Sequence, residues 1–149
     1  MIMKETIITL FALLTACLAC NAQATISLQQ LNGTTWEISY PELKETPTKR
    51  SFTTTTIQET VDFTVINKRA TGSSKYYLDD KIPDKFDFSK VGENKSGAYI
   101  IIHSDFDSSF MWYKVVNVTN DTLTLYWKPE PNTVIGVNEG VTFIYKRIK

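Results

Sequence analysis

The chain has 149 residues, with 16 Lys and Arg set against 16 Asp and Glu, so its formal net charge is zero. Without a basic excess to neutralise phosphates, the composition argues against a nucleic-acid partner. About 125 residues follow the leader described next, enough for one domain with a real core and too few for two.

Residues 1–24 read as an export signal. Lys4 precedes an apolar stretch from residue 7 to residue 19. At about 13 residues this has the length of a signal h-region and falls short of the roughly 20 that span a bilayer. Two cuts fit. Leu14-Thr15-Ala16-Cys17 has the form of a lipobox, which would leave a lipid on the Cys17 thiol and anchor the chain to a membrane. Ala22-Gln23-Ala24 has the small-x-small form of an ordinary signal-peptidase site, which would free the protein after Ala24. The expected location is the cell envelope, as a periplasmic or outer-membrane lipoprotein, or the exterior after the second cut. Both cysteines, Cys17 and Cys20, lie in the leader. The domain at 25–149 is therefore expected to work without a disulfide, a thiolate or a cysteine-bound metal.

Beyond the leader the pattern is alternation. Residues 25–31 form a lead-in. Trp36, Ile38 and Tyr40 alternate with Thr35, Glu37 and Ser39, predicting a half-buried strand that Pro41 stops. A polar loop covers 42–49. The threonine-rich run 50–58 predicts a strand with much of its surface solvated. Val61, Phe63 and Val65 predict another, and Tyr76 with Leu78 one that ends at Asp79-Asp80. Phe86 and Phe88 alternate with charges and predict a short extended segment, with a turn at 93–97. Residues 98–103 form an apolar strand, 104–109 a polar turn and 110–118 a long strand. The turn 119–121 then leads into the alternating strand 122–127, and 141–146 closes the chain after a loop at 129–140. All three Trp, all seven Tyr and seven of the eight Phe lie past residue 30, which favours an ordered core over a disordered tail. About eight or nine short strands with no helix after the signal, joined by short links, predict an all-β fold: an antiparallel up-and-down barrel of about eight strands. Closure would also remove the free sheet edges.

Two stretches carry a family resemblance. Leu31-Asn32-Gly33-Thr34-Thr35-Trp36-Glu37-Ile38 resembles the first strand of lipocalin-like domains, with Gly33 and Trp36 one residue further apart than the family's Gly-x-Trp. The segment from Tyr113 through Asp121 and Leu125 to Phe143 and Arg147 resembles the last strands of small lipocalin-like proteins exported by Bacteroides-type bacteria. The META family opens with a similar string but is not matched further along. The lipocalin resemblance implies a calycin-type barrel in which a late basic residue covers the first-strand tryptophan. Arg147 over Trp36 is the pair it assigns, closing one end structurally.

The main candidate site is the barrel interior, with Trp36, Phe63, Tyr76, Tyr113, Trp127 and Tyr145 as inward residues. A barrel of this size either holds one small apolar or amphipathic ligand or fills itself with side chains. The two functional readings follow: a ligand-binding envelope protein, or a non-enzymatic interaction module whose outer tyrosines Tyr40, Tyr77, Tyr99 and Tyr126 offer a surface. His103 is the only histidine. With no second histidine or cysteine to complete a zinc site, it is expected to face water at a strand end. Asp105 and Asp107 lack the turn glycine and distal glutamate of a calcium loop. Asp79, Asp80 and Asp84, interleaved with Lys81 and Lys85, read as a solvated turn. No metal or cofactor is predicted. No nucleophile elbow, phosphate loop or Ser-His-Asp order is present, and an enzyme is not expected. Asp121-Thr122-Leu123 matches the short Asp-Ser/Thr-apolar pattern used for O-glycosylation in Bacteroides-type bacteria. This makes Thr122 a candidate acceptor, while a plain hairpin turn accounts for the same residues.

Overall fold

Alternation along the strands is the dominant organiser of this chain. The computed structural model describes residues 22–38, 48–103, 109–128 and 140–149. Cys17 and the lipobox, Tyr40, Asp105 and Asp107 lie outside the described residues. The elements in order are β1 (Ile26–Ser27), α1 (Leu28–Leu31), β2 (Thr35–Ile38), β3 (Thr48–Phe52), β4 (Thr56–Phe63), β5 (Lys68–Asp79), β6 (Ser96–Gly97), β7 (Tyr99–His103), β8 (Phe110–Val118), β9 (Thr122–Trp127) and β10 (Val141–Arg147). Eight of these strands close a barrel in the order β10-β2-β3-β4-β5-β7-β8-β9, every neighbouring pair antiparallel. The chain is thus an all-β up-and-down barrel, as the alternation predicts.

Several boundaries differ from the sequence-based expectation, each for a local reason. The threonine run is not one strand. Thr53 Oγ1 accepts from the N–H groups of Thr55 and Thr56, at 3.2 and 3.0 Å, and folds the run into the turn between β3 and β4. The lead-in contains one helical turn, α1, held by a capping box: the Gln30 N–H donates to Ser27 Oγ, and the Ser27 N–H donates to Gln30 Oε1. The extended segment expected around Phe86 and Phe88 stops at Asp87, whose backbone is extended and which caps a 3-10 turn over Phe88–Lys90. The expected turn at 93–97 ends in β6, which pairs with β1 outside the barrel.

One end of the barrel is sealed. Ile26, Leu28 and Leu31 join Trp36, Phe52, Ile57, Leu78, Ile100, Val115, Leu123 and others in a single buried cluster. Residues 80–98, between β5 and β7, fold back over the outer face of those strands. Phe86 meets Tyr77 at 5.0 Å, and Phe86 and Phe88 each sit 5.0 Å from the His103 ring. Tyr77 and Ile101, outward by register, are buried under this strap. Tyr77 is therefore not part of an exposed tyrosine row, and His103 is flanked by aromatic rings rather than simply facing water.

Asp79 ties the strap down and is not part of a solvated turn. It is buried, receives a 2.7 Å bond from Lys90 Nζ and one from the Asp80 N–H at 2.8 Å, and has Lys95 Nζ at 3.9 Å. Its lysine partners come from 11 or more residues away, beyond the reach of a local pattern. Burial works to raise the Asp79 pKa, but the Lys90 and Asp80 bonds and the nearby lysine charges outweigh it and hold the carboxyl below its ordinary value. A carboxylate depressed in the folded state adds stability above its unfolded pKa and loses it as pH falls through the folded pKa. Between about pH 6 and about pH 3, wild type should therefore lose more stability than Asp79→Asn. Urea melts at both pH values would measure this, and equal losses would contradict the role given to Asp79.

Candidate binding site in the barrel interior

Inward positions follow from the register. Trp36 pairs with Arg50, Arg50 with Glu59, and Glu59 with Gly72, so these four form one inward row across β2 to β5. The row climbs from Trp36, 1% exposed, to Gly72, which is solvent-exposed although its face is inward. Its neighbours on β5 are also small, with Ala70 opposite Val61 and Ser74 opposite Ile57. A Cβ placed on Gly72 would meet nothing within 4 Å. The barrel is therefore filled at the sealed end, and the inward face of β4 and β5 opens to solvent where their hairpin runs out past the pairing of β5 with β7.

Arg50 stands between the sealed end and this opening. Its side chain is 12% exposed. Nε donates to Glu59 Oε2 at 2.7 Å, and an Nη donates to the Tyr113 phenol oxygen at 3.0 Å. The guanidinium carbon lies 4.7 Å from the Tyr113 ring centre and 5.5 Å from that of Tyr145. Burial acts to strip the proton. The oxygens of Tyr113 and Tyr145 and the Glu59 carboxylate outweigh it, so the pKa is raised further and Arg50 is a permanent cation. Two of the five guanidinium donors are used by these bonds. Tyr113 accepts from Arg50 through its oxygen, so its own O–H hydrogen is available to donate. Glu59, 42% exposed, sits at the rim and neutralises the cation only from one side.

The predicted interior residues divide accordingly. Trp36, Tyr76, Tyr113 and Tyr145 are buried in the core cluster, and Trp127 is partly buried against it. Tyr76 donates its O–H to the Thr53 carbonyl at 2.7 Å, and burial pushes its phenol pKa up. Phe63 shares the inward register of Ile57 and Glu59 but lies at the far end of β4, 39% exposed and outside the core. Arg147 places its guanidinium carbon 5.9 Å from the Trp36 ring. Thr122 opens β9, half-buried, with its N–H bonded to Thr119 Oγ1. Arg50 and Glu59 were not among the residues singled out from sequence. The signal was available, because Arg50 lies two residues from Phe52 and Glu59 two from Ile57, which places each on its neighbour's face.

No family model matches the chain, and no curated protein or solved structure matches it. A cleft of about 620 Å³ is bordered by Ile82 and Lys85 of the strap and by Phe110, Trp112 and Trp127 of β8 and β9. It holds no buried charge comparable to Arg50, so the lumen is the better-defined site.

Proposed function

We propose that this is an exported, non-enzymatic carrier barrel that holds a small amphipathic molecule, with the apolar part in the lumen and an anionic group at Arg50. The observation that carries this reading is a permanent cation 4.7 and 5.5 Å from two tyrosine ring centres, in an inward row that opens to solvent toward Gly72. A barrel meant only to pack itself gains nothing from a charge there, because burying one is costly without a matching group. Glu59 matches the charge from the rim side, and a carboxylate or similar head meeting the remaining guanidinium donors and the Tyr113 O–H would match it from the lumen.

The test uses two fluorescent probes of similar size, anionic anilinonaphthalene sulfonate and neutral phenylnaphthylamine. Wild type binds both. Arg50→Met preserves length and apolar stem, and weakens the anionic probe by about 10- to 100-fold, the equivalent of a lost charged hydrogen bond. The neutral probe is unaffected. A wild type that binds neither probe would favour a self-filled interaction module. Equal effects on both probes would remove Arg50 from the site.

Export with a lipid on Cys17 completes the proposal. Ala24 packs partly against the core cluster, so the fold uses a residue that the cut after Ala24 would remove. This favours the cut at Cys17. Cys17→Ala should shift the protein from the membrane fraction to the soluble one, and an unchanged distribution would argue for the other cut.

A further inference from the structure

The connection between β4 and β5 carries an unusual turn. Tight turns are rich in Gly, Asn, Asp and Ser. Here the apex reads Phe63-Thr64-Val65-Ile66-Asn67, followed by Lys68 and Arg69. Val65 is 76% exposed, Ile66 59% and Phe63 39%, three of the nine exposed large apolar side chains among the described residues, gathered within four positions. Asn67 supplies the left-handed residue, φ 48°, and its N–H bonds to the Thr64 carbonyl at 3.2 Å. The hairpin also projects. β5 pairs with β7 only over Tyr76 to Asp79, while its pairing with β4 continues out to Phe63 opposite Lys68.

We propose that this hairpin tip docks on a lipid bilayer, with Val65 and Ile66 entering the headgroup–acyl boundary and Lys68 and Arg69 meeting anionic headgroups. The tip is convex and narrow, and three side chains cannot supply the roughly 800 Å² per partner that a stable protein interface needs. A bilayer asks for less: an apolar apex with basic residues a few ångströms behind it. The charges have the required order. Arg69 is paired with Asp62, while Lys68 makes no ion pair among the described residues, so the base of the tip carries net positive charge. The Asn67 to Thr64 bond and the Phe63–Lys68 pairing satisfy apex backbone groups internally, which shallow insertion requires. Phe63 and Lys68 are both inward by register, so the docking element is also part of the barrel rim.

Vesicle co-sedimentation tests this with purified protein carrying Cys17→Ser, which removes any lipid from the leader. Vesicles are phosphatidylcholine alone or mixed with phosphatidylglycerol. Val65→Ser/Ile66→Ser should lower partitioning onto both by roughly tenfold or more. Lys68→Glu should lower it several-fold on the mixed vesicles only, with strong dependence on salt. In Val65→Trp, fluorescence should be quenched by lipids brominated in the acyl chain. Arg50→Met should leave vesicle binding unchanged, so failure of the lumen site and failure of the tip are distinguishable. Melting curves confirm that the tip variants fold, since they alter exposed side chains. Wild type that fails to bind vesicles, or binds them as the double variant does, overturns the proposal. So does a wild-type dimer that the double variant turns into a monomer, which would assign the tip to a second copy of the chain.

Discussion

Trp36→Ala is expected to lower the unfolding free energy by about 3–5 kcal/mol, the range for truncating a large buried aromatic. Against the roughly 5–15 kcal/mol that stabilises a typical domain, such a loss leaves a marginal fold. The indole is 1% exposed and does two things. Its rings fill the sealed end beside α1. Its Nε1–H donates to Thr34 Oγ1 at 2.7 Å, while the Thr34 hydroxyl donates to the Leu31 carbonyl at 2.5 Å. That relay ties β2 to the end of α1. Trp36→Phe separates the two contributions, because it keeps most of the apolar volume and removes the donor. It should cost only about 1 kcal/mol plus a small cavity term. Urea unfolding followed by far-ultraviolet circular dichroism measures both. A Trp36→Ala loss within the roughly 0.5 kcal/mol of a surface change would show that the tryptophan does not close the barrel.

Gly97→Ala is expected to be damaging for the opposite reason, by adding one carbon where there is no room. A Cβ on Gly97 would lie 2.5 Å from the Asp79 nitrogen and 2.7 Å from its carbonyl oxygen. Those are backbone atoms of a strand held by Tyr99 on its other side, so no side-chain rotation relieves the clash. Either β6 lifts away and β1 loses its partner, or β5 bends and the Asp79 anchor of the strap is disturbed. Overpacking of this kind costs about 1–3 kcal/mol, and the upper part of that range is expected here. Gly72→Ala is the matched control. Its new carbon meets nothing within 4 Å, so the change should be neutral or stabilising by a few tenths of a kcal/mol. Equal effects of the two substitutions would mean that the close approach of β6 to β5 is not maintained in solution.

The barrel itself was legible because it rests on a local signal. Period-two alternation in 36–38, 110–118, 122–127 and 141–146 names a strand and its buried face together, and short links force antiparallel neighbours. Trp36, Tyr76, Tyr113 and Tyr145, expected to point inward, lie in the buried cluster. What escaped depends on partners distant in sequence. The burial of Asp79 requires Lys90 to return across the strap, and the cover over Tyr77 requires Phe86 to do the same. The split threonine run escaped because threonine serves both strand and turn, and only the bonds to Thr53 Oγ1 decide between them. Arg50 was overlooked for another reason. A charged residue in a polar segment reads as surface unless its register with Phe52 is followed, and following it puts the cation indoors. The capping box of α1, Ser27 to Gln30, was visible in the letters but describes a single turn, too short to alter a periodicity.

Residues 22–31 belong to the pole that α1 seals, while β4 and β5 run out toward the other pole and end in the Val65–Ile66 apex. The molecule is therefore directional in a way its symmetric barrel conceals. Held by its leader in one membrane, it would turn rim and tip toward the opposite side, so the bilayer that the tip is proposed to meet would be a second one. Cargo would then be taken up or released on the side facing outward from the attachment point.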